Sequence, residues 1–388
     1  MMVLLNQSSR IRSLLPQGSK LFASLIIFTT TIYAKVLPLY NPIKQSKSNT
    51  KLDIQAFVAN DPVSLYDFFH DWDGKYTPDD GDNFALEFAR VDIGFYTEND
   101  YYIGYFYQKD VLIRTNRGFV DGYYAVKNDI KPDNDTNYDL DMHIDGIIRH
   151  GLLLGKDYVI YDSANSSISL GIGGYISYDT DTQSGYLNGK GVLRTDSSYD
   201  AVAMADYYYM DNLLYDLDVE ETYGIGYGMH VAVSYTNSQY KIDANFIAND
   251  LFARSHWNNL PYSLVYVATK NQIIGDDGYV EYNPTIYGWE LYKDYTQKIE
   301  PKYHIDVSKG FEYGLDLLLG WEYTNHLSIP YMKLSKTFDE YKVALQYDYR
   351  FDTIGIEYID DIVKLSIYSD GFKTASSVGL SLSVNYDF

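Results

Sequence analysis

Cysteine is absent from the 388-residue chain, which rules out a disulfide framework, a thiolate metal site, a cysteine nucleophile and a lipoprotein anchor. Long apolar runs are missing too. The main apolar-rich stretch, from Leu21 to Ile32, is too short to cross a bilayer as a helix, which needs roughly 20 residues. Basic residues are scarce, with 31 Lys and Arg against 53 Asp and Glu. A net charge of −22 repels nucleic acid and anionic lipid phosphates and favours cations. Helical periodicity of any length is lacking, and no stretch is long enough to form a peptidoglycan-binding or plug domain.

What is present begins at the amino terminus. Arg10, Arg12 and Lys20 precede the Leu21–Ile32 run, and Tyr33 and Ala34 follow it. This is the layout of an export signal peptide, residues 1–34, cut after Ala34. Its loss takes three basic residues and no acidic ones, so the charge moves from −22 to −25. Residues 35–50, with Pro38 and Pro42 among polar neighbours, read as a periplasmic lead-in, and residues 51–388 as the folded domain.

That domain is written in a two-residue period. At its end Val378, Leu380, Leu382, Val384, Tyr386 and Phe388 alternate with small or polar residues. The same alternation runs through Tyr138–Leu154, Ile168–Tyr178, Tyr223–Tyr235, Tyr313–Tyr323 and Tyr341–Phe351. Between Phe84 and Tyr107 the apolar phase slips, which suggests a bulge near Arg90. Charged residues on one face of strands this long need water on that side. A mean hydropathy below zero fits, because the two faces cancel in any average.

The terminal strand, closing on an aromatic residue, resembles that of bacterial outer-membrane β-barrel proteins. The resemblance implies an all-β fold, a transmembrane antiparallel β-barrel of about 16 strands, with 14 to 18 as the range. It also implies a bacterial outer-membrane location, with Phe388, Tyr386, Val384 and Leu382 as the signal read by the barrel-insertion machinery. Surrounding partners would be outer-membrane lipid and lipopolysaccharide, and a homotrimer is one expected assembly besides the monomer. With a periplasmic carboxy terminus, counting back by parity puts Asp250–Leu260, Tyr292–Thr296 and Asp211–Glu221 outside. Tyrosine, at 43 residues, suits the interfacial girdles of a barrel.

The chemistry carried by the strands is sparse. Asp139, Asp141, His143, Asp145, Arg149, His230, His304, Asp306, Lys342, Asp348, Arg350 and Lys364 fall on the polar faces and are expected to line the lumen. They describe a passive, porin-like, water-filled pore for cations or small polar solutes, or cross-strand ion pairs that fill a narrow barrel. Gly224, Gly226 and Gly228 lie within one strand and make room for a bulky neighbour rather than cradling phosphate. Asp71, Asp73, Asp79 and Asp80, near Gly74 and Gly81, are candidate calcium ligands, although the spacing is not that of a helix-loop-helix calcium loop; no other cofactor is expected. His143 between Asp141 and Asp145, with His230 and His304, is the material for an alternative, a lipid hydrolase or deacylase. Asn60 with Asp61 resembles a fragment of the lipid A deacylase site, yet no serine sits in a nucleophile-like turn. Acidic loops such as Asp211–Glu221 fit a further alternative, a surface adhesin or receptor.

Overall fold

The computed structural model describes residues 36–44, 50–70, 72–196, 198–211, 219–269, 272–274, 280–282, 285–371 and 374–386. Residues 1–34 and Phe388, which carry the expected export and insertion signals, lie outside them. Fourteen strands close into an antiparallel ring. In chain order these are β1 (Thr50–Asn60), β2 (Asn83–Tyr96), β3 (Tyr101–Thr115), β4 (Thr136–Asp162) and β5 (Ser166–Leu193). After β6 (Tyr199–Tyr209), the ring continues with β7 (Gly224–Asn237) and β8 (Ile242–Ala268). A short hairpin, β9 (Gln272–Ile274) and β10 (Val280–Tyr282), and then β11 (Ile286–Lys298) precede β12 (Lys302–Gly310), where the ring resumes. It is completed by β13 (Leu315–Thr324), β14 (Leu327–Thr337), β15 (Lys342–Asp348), β16 (Thr353–Ile359), β17 (Val363–Ser369) and β18 (Ser377–Tyr386). Pairing of β1 with β18, from Thr50 opposite Tyr386 to Ala59 opposite Ser377, closes it.

β6 and β11 stand outside the ring. They pair with the upper parts of β5 and β8, which with β4 run 27 or 28 residues. At about 3.3 Å per residue such a strand is roughly 90 Å long, about three times the hydrocarbon thickness. A tall sheet therefore rises from one side of the barrel. Asp250–Leu260 and Tyr292–Thr296, expected as external loops, are strand residues within β8 and β11.

The outer face carries an apolar belt. Leu152, Leu154, Ile176, Ile225, Leu319 and Ile356 are each more than half exposed, which in water would be unfavourable and in lipid is not. Tyr101, Tyr161 and Tyr386 are exposed near one end of the belt and Tyr107, Tyr178 and Tyr223 near the other, where a wet hydroxyl and a buried ring are both accommodated.

β2 has no bulge. It pairs residue for residue with β3 from Asn83 to Tyr96 and with β1 from Ala85 to Phe95. The phase slips because each face changes character along the strand. Inside, Phe84, Leu86 and Phe88 give way to Arg90 and Asp92; outside, Glu87 gives way to Val91, Ile93 and Phe95.

At the barrel end away from Thr50 and Tyr386 two segments fold together as a cap. One holds α1 (Leu65–Phe68), capped by Ser64, and the other α2 (Arg117–Lys127), capped by Asn116. Tyr76 stacks on Tyr124 at 4.0 Å and Trp72 meets Tyr123 edge-on at 4.6 Å.

Candidate functional site

The lumen is filled by a segment that precedes β1. Residues Val36–Lys44, part of the stretch expected as a periplasmic lead-in, run through the barrel interior as an extended strap. At its upper end Val36, Leu37 and Leu39 pack with Phe57, Phe84, Leu86, Phe88, Leu327 and Phe351. The Leu37 N–H donates to Glu322 Oε2 at 2.9 Å, and Gln55 brackets Leu39 with two bonds of 3.2 Å. Lower down, Tyr40 donates its N–H to Asn249 Oδ1 and accepts from Asn249 Nδ2. Ile43 packs on Ala232 and Ile247, and Lys44 pairs with Asp100 in the β2–β3 turn. Pro38 and Pro42 lack N–H groups and hold φ extended, so the strap runs without offering donors it could not satisfy. Gly171 makes its seat, because a Cβ there would stand 2.8 Å from Ile43 Cγ1 and 2.9 Å from the Ile43 nitrogen.

Beside Tyr40, charges cross the lumen. Arg149 on β4 reaches Asp250 on β8 at 2.9 Å and Asp110 on β3 at 3.1 Å, and Lys302 on β12 holds the same two carboxylates at 3.1 and 2.9 Å. Tyr175 bonds Asp250 at 2.8 Å and also touches Arg149. Arg90 forms a fork with Asp92 at 2.6 and 2.8 Å, and its third bond, 2.6 Å to Gln108, continues to Asp110. Asp250 gets there through two register irregularities in the β7–β8 pairing. With φ of 57° at Asp250 and 55° at Phe252, the strand turns Asp250 inward and leaves Phe252 82% exposed on the lipid side.

Two buried positive charges meeting two buried carboxylates cancel locally, which is what makes such burial tolerable. The side chains of Arg149, Asp250 and Lys302 are at most 3% exposed, so this layer is a seal rather than a wetted constriction.

The residues expected to line a pore fall into separate groups. Arg149 belongs to the seal, and His230 is buried beside it between the rings of Tyr40 and Tyr175. His304 bonds Asp306 at 2.6 Å and lies 3.3 Å from Glu322. Asp348 is buried at the outer end of β15, while Lys342 pairs with Asp316 near the opposite mouth. Lys364 lies near that mouth as well, at the start of β17 beside Ile359 of β16. Arg350 is not a strand residue; it sits in the β15–β16 turn and pairs with Asp61 and Asp79. Asp139, Asp141 and His143 do not reach the lumen. They lie on the rising extension of β4, where His143 and Asp141 are 3.4 Å apart and nearly half exposed and Asp139 faces Lys190. Asp145, just below, accepts from Asn325 at 2.9 Å.

Residues that the sequence reading passed over do most of the sealing: Arg90, Asp92, Asp110, Asp250, Lys302 and Glu322. A signal for the first pair was present, since Arg90 and Asp92 flank Val91 at the two-residue spacing of one inward face. The remaining candidates are dispersed. Asp79 is held by Arg350 at 3.0 Å and Asp80 by Arg117 at 2.9 Å, Asp73 is exposed, and Asp71 lies outside the described residues. Among the described residues no group of three or more potential ligands comes together for a metal. Asn60 donates to the Val63 carbonyl and Asp61 pairs with Arg350, so these two are structural partners of the cap.

A closed antiparallel ring with an apolar belt outside and an interior filled by the strap and by buried ion pairs defines the chain as a β-barrel of the outer-membrane type. No family model and no curated protein matches it. Among solved structures it is similar to the deltaS2S3 mutant of TodX, a monoaromatic hydrocarbon channel, at 9% identity and a TM-score of 0.46, over 92% of this chain and 96% of that one. The Pseudomonas putida toluene transporter TodX is similar at 7% identity and a TM-score of 0.32, over 89% and 90%. The Escherichia coli outer membrane protease OmpT gives 10% identity and a TM-score of 0.23, over 89% and 100%.

Proposed function

We propose that the chain is a gated channel of the bacterial outer membrane for small apolar or amphipathic molecules, held shut by its own amino-terminal strap. The carrying observation is the chemistry around Val36, Leu37 and Leu39. Once they leave, the space they vacate is walled by Phe57, Phe84, Leu86, Phe88 and Phe351, an apolar chamber at the external end. A hydrated ion gains nothing from such a wall, whereas an apolar solute replaces the strap's side chains contact for contact. Displacing the strap also frees Asn249, Gln55 and Glu322, so opening costs several buried hydrogen bonds and is expected to be rare without a ligand.

Planar-bilayer recording tests this. The unaltered protein should be largely silent, and Leu37→Asp with Leu39→Asp, which places charge in the apolar chamber, should give stable ohmic steps. Micromolar 1-octanol should block those steps and glucose should not. Steady open conductance in the unaltered protein would return the barrel to a simple water-filled pore. Octanol-insensitive steps in the variant would leave the strap a gate but remove the apolar cargo.

A further inference from the structure

Above the lipid belt, on the outside of the wall, lies a second cavity. The outward faces of β1–β5 and the cap enclose a cavity of about 580 Å³. It is separate from the lumen: Val58, Glu87, Lys109, Val111 and Ile144 lie on the faces opposite the inward-pointing Phe57, Phe88, Gln108, Leu112 and Asp145. Leu65, Phe68 and Phe69 of the cap and Met210 after β6 complete an apolar lining.

Three acceptor oxygens in this lining receive no hydrogen bond from any described residue: Asn60 Oδ1, Asp181 Oδ1 and Gln183 Oε1. Asn60 is 1% exposed and Gln183 7%, so bulk water does not reach them freely. Their amide orientations are fixed, since Asn60 Nδ2 donates to the Val63 carbonyl and Gln183 Nε2 to the Asp211 carbonyl. A buried acceptor left bare is unfavourable, and Asp181 and Gln183, two residues apart on the outward face of β5, mark the place of one donor group, with Asn60 across β2–β4 on the far side of the cavity. The charges agree. Glu87, Asp181, Asp211 and Glu221 line the cavity against Lys109 alone, and Lys109 is bound to Glu87 at 2.7 Å.

We infer that this cavity binds a small hydrophobic ammonium ion, its apolar body against Val111, Ile144, Phe68 and Phe69 and its N–H donors on Asp181 and Gln183, which share the outward face of β5. An ammonium supplies three donors and a positive charge; a hydrocarbon supplies neither, and a carboxylate supplies the wrong sign and only acceptors. Tyr178, exposed at the girdle, also lines the cavity, so the site opens where an amphiphile concentrates at the membrane surface. This site does not depend on the lumen conducting.

The test is a fluorescence titration of the barrel in nanodiscs with 1-naphthylmethylamine, 1-methylnaphthalene and naphthalene-1-acetate. The amine should bind saturably and at least tenfold more tightly than either of the others. Asp181→Asn with Gln183→Met should weaken the amine at least tenfold without affecting the hydrocarbon, and Ile144→Trp, which fills the apolar end, should abolish saturable binding of all three. Retained heat-modifiable mobility on gels shows that each variant still folds. Equal affinity for amine and hydrocarbon, tighter binding of the acetate, or amine binding unchanged by both variants in folded protein would overturn the proposal.

Discussion

Leu37 and Glu322, 285 residues apart in sequence, are joined by a backbone N–H donating to a carboxylate at 2.9 Å, both groups buried inside the barrel. The same carboxylate lies 3.3 Å from His304 Nδ1, so β12, β13 and the strap share one anchor. Glu322→Ala leaves a buried N–H and a buried imidazole with one acceptor fewer, at a cost of about 1–3 kcal/mol. The upper end of the strap should then detach transiently, seen as brief conductance bursts in bilayers. Glu322→Gln, which keeps a carbonyl acceptor at the same reach, should burst much less. An alanine variant as silent as the unaltered protein would mean that apolar packing alone holds the strap.

The Arg149–Asp250 pair should behave as part of one unit with Asp110 and Lys302. Arg149→Met leaves two carboxylates to share Lys302 and should cost about 3–5 kcal/mol, the range for removing one member of a buried ion pair. Asp250→Leu in the same chain should recover part of that loss, giving a coupling of about 1 kcal/mol or more in a double-mutant cycle of urea unfolding in detergent. Additive losses would show that the two side chains act independently.

The ring and its faces were legible wherever the two sides of a strand met opposite media. β7, β12, β13 and β18 have lipid on one side and polar or small contacts on the other, and their alternation survives in the sequence. It fails in β2 because neither side is uniform: the strap makes the upper lumen apolar, and the upper outer face carries Glu87 paired with Lys109 in place of a lipid-facing residue, so Phe84 and Ile93 point opposite ways. It fails again in β8, where two irregularities shift the period and polar residues such as Asn249, Asp250 and Ser255 serve the lumen at membrane level. A loop was the natural reading of that stretch. The strap was invisible for another reason: nine residues with two prolines have no periodicity to read, and their partners are scattered over the whole chain.

At the rim, Asp61 pairs with Arg350 and accepts the Phe84 N–H at 2.6 Å. Burial pushes its carboxyl up to about 6, against the opposing pull of Arg350. Since the folded state binds this proton more tightly than the unfolded chain, the resulting stabilisation is complete below the ordinary aspartate value near 4 and is lost as pH rises through 6. Asp61→Asn removes it. The unfolding free energy of the unaltered protein relative to that variant should therefore rise by about 2–3 kcal/mol from pH 7.5 to 4. A difference that is flat or falls with acidification would contradict the burial argument.

Gly171 and the strap can be tested with the thiol that the chain lacks. Leu39→Cys introduces a single sulfhydryl, 5% exposed at the native Leu39, so its reaction with a membrane-impermeant maleimide reports only on strap departure. In the seated strap labelling should be slow. Gly171→Val places a branched side chain where Ile43 and the Pro42 carbonyl carbon already stand within 3 Å of a Cβ, and backbone cannot give way as a flexible side-chain end can. The lower strap should be expelled and the labelling rate at position 39 should rise at least tenfold. Gly171→Ala, with the smallest possible intrusion, should fall between. If all three label alike, the Ile43 seat does not hold the upper strap, and the closed state depends on Glu322 and the apolar chamber alone.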